Sequence, residues 1–188
     1  MESSIIKFIK MKDSLDKVKE FMVTFKQPVL NEPIVPNKNR IKLRLSLCLE
    51  ELTELAEASA SLAEYEELLE HKLLEVKHKI INGECTKFNT LEVLDALIDM
   101  RYVNDGAIHE FGLGNVFNEG FDLVHESNMS KVCNTIEEAL ATQNHYRSLG
   151  IGTYNEKHNN KFVVYRQIDG KVLKSINWKE ADYLNLMK

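Results

Sequence analysis

All three prolines of this 188-residue chain fall in one stretch, Pro28, Pro33 and Pro36 within QPVLNEPIVPNKN. Proline removes a backbone donor, fixes its own φ and pushes its predecessor out of the helical region, so residues 27–39 must run as an extended loop. Elsewhere the chain has no proline, and it holds only 8 glycines in all. Long stretches are thus free to form helices, and a collagen-like chain or a turn-dense all-β sandwich is excluded. On both sides of the loop apolar residues recur at steps of three and four, the period of a helix face. Before it stand Ile6, Ile9, Leu15, Val18, Phe21, Met22 and Phe25. After it, Leu45, Leu49, Leu52 and Ala56 form a stripe predicted to be buried in a helix from about residue 40 to about residue 61.

Residues 62–81 continue in helical spacing, and Gly83 stands where a helix would be capped. Asn89 or Thr90 can cap the next helix, about 91–111, which ends near Gly112. Shorter helices are predicted at about 116–126 and 135–146. The pattern then changes: residues 162–166 and 171–174 flank Asp169-Gly170, a strong short-range hairpin signal. The expected fold is all-α, a helical bundle over residues 1–148, with a small C-terminal β-hairpin extension over 149–188 packed on the same domain.

Charge and cysteine usage narrow the partners. Lys and Arg total 24 against 29 Asp and Glu, a net charge of −5, which argues against a nucleic-acid polymer as ligand. An apolar share of 44% at that modest charge excludes a disordered chain. No run approaches the roughly 20 apolar residues of a membrane span, and lysines interrupt the N-terminal MESSIIKFIKMK, so neither a membrane anchor nor a cleaved leader is expected. Cys48, Cys85 and Cys133 are scattered and odd in number, as free thiols of a reducing cytoplasm would be. Cys48, inside an apolar helix, is expected to be buried.

Two helices carry acids at matched spacing. Glu50, Glu51, Glu54 and Glu57 lie in LCLEELTELAEA, and Glu92, Asp95 and Asp99 lie in LEVLDALIDMRYV. Side chains three residues apart sit about 60° apart on one helix face, one turn up. Glu51 with Glu54, and Glu92 with Asp95, are therefore carboxylate pairs, and antiparallel packing of the two helices would bring all four to one point. Four such oxygen donors suit a hard divalent cation, Mg²⁺ or Mn²⁺. The plainer alternative is a solvated acidic face, with Glu92 acting only as capping-box partner of Asn89. Against it, Glu92, Asp95, Asp99, Tyr102, Val103 and Gly106 follow one seam, so the acidic stripe runs into an apolar one. Gly106 costs about 1 kcal/mol in a helix relative to Ala, which suggests close approach of another element. Carboxylates in a packing seam are strongly unfavourable unless paired or bound to metal.

These residues resemble a known superfamily. EELTELAEA from Glu50, followed by EVLDAL from Glu92, is similar to the EExxE…ExxD signature of the all-α NTP pyrophosphohydrolases. That group includes MazG proteins, dimeric dUTPases, dCTP pyrophosphatases and phosphoribosyl-ATP pyrophosphohydrolases. DALIDMRYVNDGA from Asp95 resembles the DALxDxxYVxxG form of a bacterial and phage branch, and SNMSK from Ser127 resembles a segment of the same branch. The resemblance covers roughly residues 15–148. It departs from the usual pattern in the 37 residues between Glu54 and Glu92, where residues 62–84 read as an enlarged helical arm.

The resemblance implies Mg²⁺-dependent hydrolysis between the α- and β-phosphates of a nucleoside triphosphate, giving the monophosphate and pyrophosphate, in nucleotide-pool housekeeping. By position, it makes Glu51, Glu54, Glu92 and Asp95 metal ligands, and Glu50 the catalytic glutamate that serves a further metal or takes the proton of the attacking water. Asp99 stands one turn behind the ligands, and Asn128 and Lys131 contact phosphates. It also implies a homo-oligomer, dimer or tetramer. The competing reading is a non-catalytic helical interaction or regulatory module that retains the fold. A di-iron carboxylate bundle is disfavoured, because Glu75 and His78 give a single ExxH where two are needed.

Overall fold

The computed structural model describes residues 12–84 and 87–186, so Ile6, Ile9 and Cys85 lie outside the described residues. The fold is mostly helical, with six helices and one two-stranded sheet among the described residues. Two compact units are present, one formed by Met1–Asn31 with Tyr102–Lys188 and the other by Glu32–Arg101.

In the first unit, α1 (Ser14–Thr24) starts at Asp13, whose carboxylate accepts the Asp16 N–H at 2.8 Å. It packs against α5 (Phe117–Met129), with a Lys17–Asp122 ion pair across the contact. Helix α6 (Ile136–Ser148) is capped by Thr135, whose hydroxyl accepts the Glu138 N–H at 3.2 Å. It packs on both strands of an antiparallel hairpin, β1 (Thr153–His158) and β2 (Lys161–Arg166).

Strand β2 is the centre of this unit. Val163 and Tyr165 pack with Phe25 and Val132 in one cluster, while Val164 packs with Cys133, Ala139 and Leu173 in another. The side-chain alternation of a strand sends successive residues to opposite faces, and here both faces are covered.

The hairpin differs from the one expected. Its turn is Asn159-Asn160, both with positive φ (45° and 62°), a backbone that Asn tolerates and that matches strand twist in a two-residue turn. The Asp169-Gly170 reversal does form, with the Gly170 N–H donating to Arg166 at 2.8 Å. It returns the chain only to a Tyr165–Val172 bridge and a Leu173 N–H bond to Val164 at 2.9 Å. Cys133 occupies the same edge of β2 through its two bonds with Phe162, each 2.8 Å, which leaves no room for a second full strand.

In the second unit, α2 (Lys38–Ala58) follows the proline loop and is capped by Asn37, which accepts the Arg40 N–H at 3.0 Å. The chain reverses at Ala60 into α3 (Leu62–Ile81), and the two helices meet at Ala56, Thr53 and Tyr65. Helix α4 (Thr90–Glu110) begins in this unit, with Asn89 accepting the Leu91 N–H at 3.1 Å.

The stripe expected to be buried on α2 is not covered by the chain itself. Leu45, Leu49 and Leu52 are 66%, 47% and 52% exposed, and Ala56 is the only buried residue of the helix. Cys48, also expected to be buried, is exposed. The reason is one of coverage within this unit: α3 meets α2 near its C-terminus, at Ala56 and Thr53, and the leucines of the earlier turns stay open. Among the described residues no helix is long and apolar enough to cross a membrane.

Candidate functional site

The acids stand where local helix geometry puts them. Glu51 and Glu54 lie on successive turns of α2 with Glu50 beside them, and Glu92, Asp95 and Asp99 lie on successive turns of α4. All six are exposed. Each i,i+3 pair therefore exists as two carboxylates on one face. The two pairs are not brought to one point, since among the described residues no three His, Cys, Asp or Glu side chains lie close enough together to hold a metal ion. The donors fit Mg²⁺ in kind, being hard carboxylate oxygens, but within this chain they do not form a closed cage.

The α4 seam is likewise open. Every residue from Thr90 to Asn104 is exposed. Tyr102 and Val103 are 80% and 68% exposed, and a Cβ on Gly106 would meet no atom within 4 Å. The close approach expected at Gly106 is thus absent among the described residues, and so is the burial expected of Glu92, Asp95 and Asp99.

Asn128 and Lys131 are brought together. They lie at the end of α5, one turn apart and half-buried, and the Lys131 ammonium donates to Asn128 Oδ1 at 2.6 Å. The ammonium also stands 5.9 Å from the centroid of the Phe21 ring. Burial, and then the neighbouring ammonium groups of Lys174 and Lys171, hold Lys131 below the ordinary lysine range. Met129 between them faces the apolar cluster of Phe25, Val132, Val163 and Tyr165.

The C-terminal segment also belongs to this region. Ser130 accepts the Lys179 N–H at 2.9 Å, strapping the chain end to the SNMSK turn. Ser175 donates to the Glu138 carboxylate, and its own oxygen accepts the Asn177 N–H at 3.0 Å. Thr142 accepts the Ile176 N–H at 3.2 Å and lies 3.7 Å from the Cys133 sulfur. Burial pushes the Cys133 thiol up, so it is a packed side chain and not a nucleophile. Forty-odd residues separate Lys131 from Lys174, and no local pattern in the sequence marks them as neighbours.

The family described as phosphoribosyl-ATP pyrophosphohydrolase matches residues 18–128, a span that holds Glu50, Glu51, Glu54, Glu92, Asp95 and Asp99 and ends at Asn128. An uncharacterized protein of Acanthamoeba polyphaga mimivirus is 30% identical over an alignment that takes in 53% of this chain and 47% of that protein. The chain thus spans about half the length of that relative. No solved structure matches the chain.

Proposed function

The chain belongs to the phosphoribosyl-ATP pyrophosphohydrolase family, within the all-α NTP pyrophosphohydrolases, and from that premise we propose that it hydrolyses a nucleoside triphosphate between its α- and β-phosphates. The observation that carries the reading is the matched spacing of Glu51 with Glu54 and Glu92 with Asp95 inside the family's span. Glu51, Glu54, Glu92 and Asp95 would hold Mg²⁺, with Mn²⁺ as the alternative. The bound ion would supply neutralisation of phosphate charge and polarisation of the scissile group.

The chain's own residues do the rest. A carboxylate oxygen of Glu50 takes a proton from water, whose oxygen bonds to the α-phosphorus. The bond from that phosphorus to the bridging oxygen breaks, and its electron pair leaves with pyrophosphate. Asn128 and Lys131 position the phosphates, the ammonium as a point charge and the amide fixed by its bond to Lys131. Asp99 orients the α4 pair from one turn behind.

A homo-oligomer, dimer or tetramer, belongs to the same reading. It is supported by the exposed leucines of α2 and by Leu94 and Leu97 on α4, which are 55% and 60% exposed. Helix faces this apolar are covered in a working protein.

The test is a pyrophosphate-release assay across nucleotides with and without Mg²⁺, on wild type and on Glu54→Gln and Asp95→Asn. Each amide removes one ligand and one charge at nearly constant volume. Turnover should fall by orders of magnitude, and the rise in melting temperature caused by Mg²⁺ should shrink. Glu57→Gln, outside the proposed set, should change neither. Full activity and full Mg²⁺ stabilisation in both variants would leave the acids as a solvated face. The non-catalytic alternative gains its one support from the separation of the two pairs, and it requires that no nucleotide be hydrolysed by wild type.

A further inference from the structure

We infer that Lys131, Lys171 and Lys174 form a binding site for an oligophosphate anion, assembled where residues 171–179 lie along the SNMSK turn. Two contacts fix that placement. The Lys179 N–H is held by Ser130 at 2.9 Å, and Val172 packs on the apolar cluster that contains Val132. Lys131 flanks Val132, Lys171 flanks Val172 and Lys174 follows two residues later, and both C-terminal ammonium groups are near enough to act electrostatically on Lys131. Residues 171–179 lie outside the span matched by the family, so this contribution is particular to the C-terminal segment.

Two of the three ammonium groups face aromatic rings or an amide. Lys174 Nζ stands 3.4 Å from the centroid of the Trp178 ring, and Lys131 bonds Asn128 and faces Phe21. Among the described residues none of the three is paired with a carboxylate. Asp169, whose carboxyl Lys171 helps to hold down, is already bonded to Arg166, so the three lysines keep an excess of positive charge in a chain of net charge −5. Burial first, and then repulsion from Lys174 and Lys171, lower the proton affinity of Lys131. A multiply charged anion relieves that repulsion, and lysines recognise phosphate as point charges. The inference rests on the hydrolase reading for the source of the anion, the phosphate chain of the nucleotide substrate or the pyrophosphate product.

The single tryptophan is the probe, because Lys174 sits on its ring and should move toward a bound anion. The full chain, free of divalent metal, is titrated with inorganic pyrophosphate and, separately, with a non-hydrolysable α,β-imido nucleoside triphosphate. Trp178 emission should change saturably, less so at high salt. Tighter binding of pyrophosphate assigns a product site, and tighter binding of the analogue assigns the substrate's phosphates. Calorimetry on Lys171→Gln and Lys174→Gln should show affinity falling about fivefold to tenfold each, with circular dichroism unchanged at these exposed positions. Wild-type affinity for both anions in the double variant would overturn the inference. The two readings fail separately. If wild type binds pyrophosphate, the double variant does not, and no nucleotide is hydrolysed, the anion site stands without the hydrolase. If nucleotides are hydrolysed with unchanged KM in the double variant, the anion site falls and the hydrolase stands.

Discussion

Replacing Tyr165 by Phe should make the protein more stable, although Tyr165 is among the most buried aromatic residues of the fold. Its ring is 6% exposed, stacks on Tyr154 with centroids 5.2 Å apart, and packs with Phe25, Val132 and Val163. Its hydroxyl is buried and has no hydrogen-bond partner among the described residues. The ring therefore stabilises while the hydroxyl opposes, because an unsatisfied buried polar group costs about 1–3 kcal/mol. Phe keeps the ring and removes that cost, so a gain of about 1–2 kcal/mol is expected at neutral pH. Burial first, and then Glu156 and Tyr154, push the phenol from 10.0 up to about 12. In that window the unfolded chain releases the phenolic proton while the folded chain retains it. The unfolded state binds fewer protons, so wild-type stability falls as pH rises from about 10 to about 12. At about 1.4 kcal/mol per pH unit, the full loss is on the order of 3 kcal/mol. Lysines titrate in the same range, so the informative quantity is the difference between variant and wild type. Urea unfolding of the full chain, followed by circular dichroism, should show that difference widening through the window. A variant less stable than wild type by about 1 kcal/mol, or a difference that stays flat with pH, would refute the reasoning.

Two further outcomes test the helical unit. Leu52→Asp places a charge on the exposed α2 stripe, where Leu52 is 52% exposed. If a second copy covers that face, light scattering should show a shift toward the 21.7 kDa monomer, and a wild type already monomeric at micromolar concentration would sink the oligomer proposal. On α3, hydrogen bonds from Lys72 and then Lys79 hold the Glu75 carboxyl down at about 2, against an ordinary 4.5. This contribution to stability is present above about 4.5 and is lost as pH falls toward about 2. Carboxyl-carbon NMR should show Glu75 titrating well below 4.5 at low salt and less so at high salt, and an ordinary midpoint at low salt would remove the paired geometry.

The parts of this fold that could be read from the sequence are those decided by neighbours along the chain. The extent of α3, the start of α6 near residue 135 and the breaks at Gly83 and Gly112 depend on residues within a turn or two, and each stands where local chemistry put it. The β-hairpin shows the limit of that logic. Asp169-Gly170 is the stronger turn signal, but Asn159-Asn160 also accepts positive φ and joins segments long enough for a six-residue ladder. Ladder length and the cover of Val163 and Val164 then favoured that pairing, while Cys133 filled the opposite edge.

Helical periodicity has a different limit, since it shows which face is apolar but not what covers it. Leu45, Leu49 and Leu52 satisfy the period of a buried stripe, yet they are exposed. The same limit applies to the acids. The spacing of Glu51 with Glu54 and of Glu92 with Asp95 is a property of each helix alone, whereas their convergence depends on how α2 and α4 are packed. The open leucine faces and the separated carboxylate pairs therefore lie on the same two helices, and one missing layer can account for both. If a second copy supplies that layer, Leu52→Asp should weaken Mg²⁺ stabilisation as well as assembly, although Leu52 is not itself a ligand. If assembly and metal stabilisation respond independently, the two features have separate causes, and the carboxylates must be gathered by movement within the chain.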